Sequence, residues 1–288
     1  MIKIITDSAS DIEAKQAEAL GIILIPMQIT FGEDSFRDKF DIQADEFYEK
    51  MANAKELPRT SQINPFVFEE TFQKIKDNGD IGLVILMSSG LSGTYDSAVS
   101  AAKKFDNIYV VDSLAITVGE QCLISYAMQM IEQGMDIKEI VDALENNKKR
   151  IRILAILDTL EYLKKGGRIS AATAFAGGLL NIKPVVTVEE GVVGMLGKAR
   201  GTKNGNNLLN ELIEKYGGID YDMPAFSGYT GLIEEKIKLD NFIDDSKEKW
   251  GKFTTPPSVV RIGSTIGTHV GPGAVAIGFF TKTSDTPK

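Results

Sequence analysis

Four times along the chain an apolar run of strand length stops at a pair of small polar residues, and a helix-forming stretch follows. These are residues 2–5 before Asp7-Ser8, 81–87 before Ser88-Ser89, 107–111 before Asp112-Ser113 and 151–157 before Asp158-Thr159. Continuous apolar runs suit strands buried on both faces, and strands that alternate with helices pair in parallel. The pattern predicts an α/β protein whose ligands sit at the carboxyl ends of its strands. The Asp-Ser and Asp-Thr pairs also read as plain helix N-caps, which needs no chemistry.

Between those units, residues 9–20 read as a helix stopped by Gly21, and 22–31 as an extended segment with an irregularity at Pro26. Residues 44–54 read as a helix. Asn64-Pro65 supplies a cap and a first helical position for a helix over 66–76. The stretch from Leu114 to about Gln133 carries Glu120 as its one charge up to Met130, so it predicts a helix buried on most sides. Such a helix is core, or a pliable Met-bearing wall for a lipid tail.

After about residue 150 glycine becomes denser and the strands shorter. Strands are expected at 184–188, 192–196, 220–229, 259–263 and 273–280, and helices at 160–165, 171–176, 206–215 and 232–249. The expectation is two α/β domains, residues 1–150 with a mostly parallel sheet and residues 151–288 with a mixed one.

A net charge of −8 and a sequence pI near 4.9 argue against a nucleic-acid partner, which needs a basic stripe. A small anion can still bind through local dipoles. The one cysteine, Cys122, lies in apolar surroundings and forms no internal disulfide, which fits a reducing compartment. Without a leader-like start or a span-length apolar segment, the chain reads as cytoplasmic, with transient contact at a membrane surface left open. One histidine and one cysteine give no recognisable zinc cluster, so neither metal nor cofactor is expected.

The candidate ligand site is the loop at residues 88–98, Ser-Ser-Gly-Leu-Ser-Gly-Thr-Tyr-Asp-Ser-Ala. Glycines admit a close approach, the first amides of the following helix lack partners, and Ser88, Ser89, Ser92 and Thr94 offer hydroxyls. A phosphate loop would need Lys-Ser/Thr after its glycines, and a dinucleotide fingerprint would need a third glycine. A nucleophile elbow is missed because Thr94 stands in its last position. The only histidine, His269, stands among Gly267, Gly271, Pro272 and Gly273, which reads as a tight loop holding a side chain at an exposed edge. Two glycine-broken basic stretches, around Arg168 and from Gly197 to Lys203, read either as solvated loops or as a docking surface for something acidic or phosphorylated.

Taken together, Thr6-Asp7-Ser8, Arg59-Thr60-Ser61-Gln62, residues 88–98, Asp112-Ser113, residues 163–169, Ile182-Lys183-Pro184 and residues 267–274 resemble the DegV family over nearly the whole chain. The resemblance implies a bacterial, non-enzymatic, lipid-binding protein of two α/β domains with a buried long-chain fatty acid. It implies ligand contacts at Thr60 and Ser92, with Ser61, Gly93 and Thr94 beside them, and at His269. It further implies a separate fatty acid kinase subunit as partner, with Arg200, or else Arg168, at the docking surface or the phosphoryl group. The family's usual basic run is diluted here by Gly201, Thr202 and Asn204. A serine hydrolase using Ser92 and His269, and a binder of another small anion, remain the competing readings.

Overall fold

The computed structural model describes residues 1–170 and 181–282, so the helix expected at 171–176 lies outside the described residues. The first half runs β1 Ile2–Asp7, α1 Ala14–Leu20, β2 Ile23–Ile25, β3 Gln28–Phe31, β4 Asp34–Arg37, α2 Ala44–Asn53, β5 Arg59–Ser61 and α3 Pro65–Asp77. It continues β6 Ile81–Leu86, α4 Thr94–Ala102, β7 Ile108–Asp112, α5 Thr117–Glu132 and α6 Ile137–Asn147. The second half runs β8 Ile151–Ile156, α7 Glu161–Lys165, β9 Ile182–Glu189, β10 Val192–Arg200, α8 Thr202–Lys215 and β11 Phe226–Tyr229. It ends with α9 Lys236–Asp245, α10 Lys247–Trp250, β12 Ser258–Arg261, α11 Ser264–Val270 and β13 Val275–Phe280.

These elements make a two-domain α/β fold. One sheet is parallel, in the order β2-β1-β6-β7, and the other is mixed, in the order β10-β9-β8-β13-β11-β12, with β11 and β12 its parallel pair. The apolar runs that ended in small polar residues supply β1, β6 and β7 of the first sheet and β8 of the second. A third sheet, the antiparallel β4-β3-β5, was not expected. Pro26 falls where the chain leaves the parallel sheet after β2 and enters this small one at β3, because a residue without an N–H cannot continue a ladder.

Helix α5 is the shared centre. It packs on β6 of the parallel sheet and on β8, β11 and β13 of the mixed one. Glycines let it lie close: a Cβ at Gly278 would come 2.7 Å from the backbone of Val118. The helix starts at Thr117 instead of 114, since Leu114 and Thr117 both have positive φ, 52° and 44°. Asp112 therefore caps no helix; its carboxylate accepts from the amides of Ser89 and Leu114 and from the Ser89 hydroxyl. Asp158 likewise is no cap, being paired with Lys183 and Lys238, and Thr159 accepts from the first helical amide instead. Asp7 caps only the 3₁₀ turn Ser8–Ser10, accepting from Ala9 N at 2.8 Å, and the helix expected at 9–20 starts instead at Ala14.

The largest apolar core lies around α5 between the two sheets, and a second lies on the far face of the mixed sheet under α8 and α9. Strand β13 serves both by alternation, with Ala276 and Phe280 turned to the first and Val275, Ile277 and Phe279 to the second. Cys122 is wholly buried in the first core, and burial pushes its thiol well up, so it behaves as a small apolar residue.

Candidate functional site

Ala155 on β8 and Ala276 on β13 are cross-strand partners in the middle of the mixed sheet. Two small side chains there, among larger neighbours, leave a cavity of about 230 Å³. Its wall comes from both halves of the chain: Met27, Met87 and Ile116 from the first, and Ile153, Val186, Val188 and Ile266 from the second. At its neck β5 brings Thr60 and the loop after β6 brings Ser92 and Gly93 alongside Arg168 and His269, while Thr117, Thr187 and Thr265 are further polar residues of the wall. Outside that neck lies a second recess of about 570 Å³, lined by Lys55, Glu56, Arg59 and Lys165, and sharing Thr60, Arg168 and His269 with the cavity.

At the neck, Thr60 Oγ1 and His269 Nε2 are 2.9 Å apart. Burial, and next the charge of Arg168, push the imidazole down to about 4, so His269 is neutral near pH 7. Its Nδ1 packs against Gly166, where any Cβ would come within 2.3 Å, and has no hydrogen-bond partner among the described residues. Arg168 ties the two halves together by donating to Leu91 O at 3.3 Å and to Gly166 O at 2.6 Å. At Gly93 a Cβ would come 2.3 Å from Gln62 Oε1, the free end of a side chain that could turn aside.

Thr60, Ser92, Gly93, Arg168 and His269 thus line one cavity, and Ser61, Thr94 and Arg200 do not. Alternation along β5 turns Ser61 away from the face that carries Thr60, and its side chain is exposed. Thr94 is buried beneath Ser92, with its hydroxyl 3.0 Å from Ser92 Oγ and accepting from Ile63 N. Arg200 is exposed at the end of β10, opposite Ile182. Ser88 and Ser89 do not serve as ligand donors, because their hydroxyls are spent on Gly191 O and on Asp112.

Two further expectations need correction, and a third is decided between its readings. His269 sits in the last turn of helix α11 and not in a loop; Gly267 is inside that helix because a Cβ there would strike Tyr48 Oη at 2.6 Å. The stretch from Gly197 to Lys203 is the end of β10 and the start of α8, not a loop. Helix α5 lends the cavity Thr117 alone, so its Leu and Met side chains are core and not a tail wall. Gln62, just beyond the end of β5, is a further cavity residue that no sequence period marks.

Beside the cavity lies a buried polar cluster. Asp7 accepts from Met87 N at 2.9 Å, Ser8 Oγ from Met27 N at 3.0 Å, and Asp38 from Thr265 Oγ1 at 2.6 Å, so three wall residues are held by it. Burial pushes Asp7 up to about 7 and Asp11 up to about 6, the latter despite Lys39, and it pushes Glu120 well up. For Lys39 burial acts the other way but is outweighed by Asp11, Asp38 and Glu13, so its ammonium is held charged.

A family model described as an uncharacterised protein of the DegV family matches residues 1–282. Protein DegV of Bacillus subtilis is 31% identical over 279 residues, covering 96% of this chain and 98% of the relative. Among solved structures, a fatty-acid-binding DegV family protein from Thermus thermophilus superposes with a TM-score of 0.86 at 28% identity, covering 97% of this chain and 99% of that one. A stearic-acid-binding protein from Eubacterium ventriosum gives 0.86 at 27% identity, covering 98% and 99%. No helix among the described residues is long and apolar enough to cross a membrane. With one family model spanning both sheets and the cavity between them, this chain belongs to the DegV family.

Proposed function

We propose that the protein carries a long-chain fatty acid, with the acyl tail in the 230 Å³ cavity and the carboxylate at the neck among Thr60, Ser92 and His269. The observation that carries the reading is a mainly apolar cavity whose neck holds Thr60, Ser92, Arg168 and His269. Left unfilled, a cavity of that volume would cost on the order of 5 kcal/mol at about 24 cal/mol per Å³, a large part of a domain's whole stability. An apolar occupant removes that cost, and each buried methylene contributes about 0.8 kcal/mol. The structural relatives that bind fatty acids support the same reading.

A serine hydrolase fits the geometry less well. His269 Nε2 meets Thr60 and not Ser92, Ser92 Oγ meets Thr94, and no carboxylate orients Nδ1 among the described residues. A carboxylate at the neck, open to a basic outer recess, is instead an acceptor for a phosphoryl group. The carboxylate oxygen would attack the terminal phosphorus of ATP and release ADP, with ATP held by a separate kinase subunit. Arg168, which faces both recesses, is better sited than Arg200 to offset charge there.

The test is organic extraction of purified, folded protein followed by mass spectrometry. A stoichiometric acyl species of about sixteen to eighteen carbons is expected, a tail whose methylenes at about 0.8 kcal/mol each would hold it through chromatography. An extract with no acyl species overturns the reading. Acyl phosphate formed on adding a cognate kinase and ATP, and slowed in Arg168→Ala, would support the partner.

A further inference from the structure

Helix α11 carries His269 but is held mainly by the other half of the chain. It follows β12 in sequence and packs on α2, β3, β5 and the turn at Ser8–Ser10, as well as on α7. Its first turn is gripped at three points by residues from the first fifty. Asp11 accepts from Gly263 N at 2.7 Å, Asp38 accepts from Thr265 N at 3.3 Å and from Thr265 Oγ1 at 2.6 Å, and Tyr48 Oη donates to Ile262 O at 2.8 Å. Lys39 closes the clamp from beneath, with Nζ 3.1 Å from Asp11 and 2.8 Å from Glu13, and its side chain only 1% exposed.

This grip is costly. Asp11 and Lys39 both sit in the left-handed region, with φ of 60° and 69°, and neither is glycine. Burying Asp7, Asp11, Asp38 and Glu120 with the single ammonium of Lys39 costs desolvation that apolar residues of the same size would avoid. Asp11 Oδ2 and Asp38 Oδ1 have no hydrogen-bond partner among the described residues. Apolar packing could hold α11 against the first domain, but it would not fix the helix's rotation and translation as directional bonds do. Thr265 and His269 are four apart, so they share a face one turn apart, and that face lines the cavity.

We infer that Asp38, Asp11 and Lys39 are positioning residues for the neck: they lock α11 across the two halves of the chain so that His269 meets Thr60. The inference rests on the fatty-acid reading only for what the neck binds. His269 is the single histidine, so its imidazole ¹⁵N resonances give a private reporter in ligand-free protein. Thr265→Val removes one hydroxyl from the clamp and Thr265→Ser keeps it. In delipidated Thr265→Val and Asp38→Ala, the His269 resonances are expected to shift, its apparent pKa to climb by at least about one unit toward the ordinary value near 6.5, and palmitate affinity to fall about tenfold. Thr265→Ser should stay within about twofold of the parent in affinity.

A clamp that served stability alone would lower the melting temperature and leave the imidazole unmoved. A folded Thr265→Val with the parent's His269 resonances and pKa therefore overturns the inference, whatever Asp38→Ala does. A parent that binds no palmitate overturns the fatty-acid reading instead, and the imidazole resonances still decide the clamp.

Discussion

The two recesses that meet at Thr60, Arg168 and His269 differ in kind as well as size. The inner one is walled by Val, Ile, Leu and Met side chains from both halves of the chain, whereas the outer one, more than twice as large, is rimmed by Lys55, Arg59 and Lys165. A ligand that satisfies both must be apolar along its length and anionic at one end. The neck between them is made of neutral donors and one arginine, which suits a carboxylate that is gripped without being sealed in. The difference teaches that affinity should reside in the inner recess and consequence in the outer.

The largest effect should come from filling the inner recess. Ala276→Phe puts a ring where two alanines leave space, and retained acyl species should drop by more than about a hundredfold, since several methylenes at about 0.8 kcal/mol each lose their place. Circular dichroism must show the variant folded. A folded Ala276→Phe that still extracts with a full acyl complement would mean that the tail lies elsewhere.

Removing one grip at the neck should matter less. Thr60→Val keeps the shape of the side chain and loses the hydroxyl 2.9 Å from His269. Loss of one charge-assisted bond costs about 1.5–3 kcal/mol, which is roughly ten- to a hundredfold in affinity for labelled palmitate. Binding as tight as the parent's would separate the carboxylate from this neck. Arg59→Ala on the outer rim should change palmitate affinity by less than about threefold, because exposed charges are screened by water and salt. It should act, if anywhere, on transfer to a kinase; a tenfold loss of fatty acid would join the two recesses into one site.

The parallel half was legible because β1, β6 and β7 announce their ends: an apolar run, then Asp-Ser or Ser-Ser, then a helical turn. The antiparallel β4-β3-β5 was not, since β4 and β5 are short, polar and partly exposed, which leaves no period to read. Ser92 stood out as a hydroxyl in a glycine-broken loop, Thr60 came only from the family resemblance, and the cavity gathers both. Helix α11 was hidden by Gly267 and Gly271, which look like loop residues until Tyr48 is seen pressing on one and the helix end falling at the other. The clamp was invisible for a different reason. Asp11, Asp38 and Lys39 read as ordinary surface charges, and only contacts to Gly263 and Thr265, more than two hundred residues away, bury them.

The smallest predicted effect is a pH dependence that sets the polar cluster against the neck. Asp7 and Asp11 have folded values raised to about 7 and about 6, above the ordinary value of 3.8, so the native state takes up their protons before the unfolded chain does. Their burial cost is present above those values and is relieved as the pH falls toward 3.8, so they raise stability on acidification. His269 runs the other way. Its folded value is depressed to about 4 from 6.5, so the unfolded chain binds that proton first and stability is lost as the pH falls through this window. From pH 8 to about 6.5 Asp7 and the buried Glu120, whose carboxyl is also pushed up, act in the same direction, and the melting temperature of delipidated protein should rise by a few degrees, at about 2–4 °C per kcal/mol for a chain of this size. Below about 6 the histidine opposes and the curve should flatten. Relief of the overall charge of −8 also favours the acid side, so the variants carry the decision. Asp7→Asn should reduce the rise between pH 8 and 6.5, and His269→Gln should steepen the curve below 6. If both variants follow the parent's profile, neither Asp7 nor His269 contributes to it, and the distinction between cluster and neck fails.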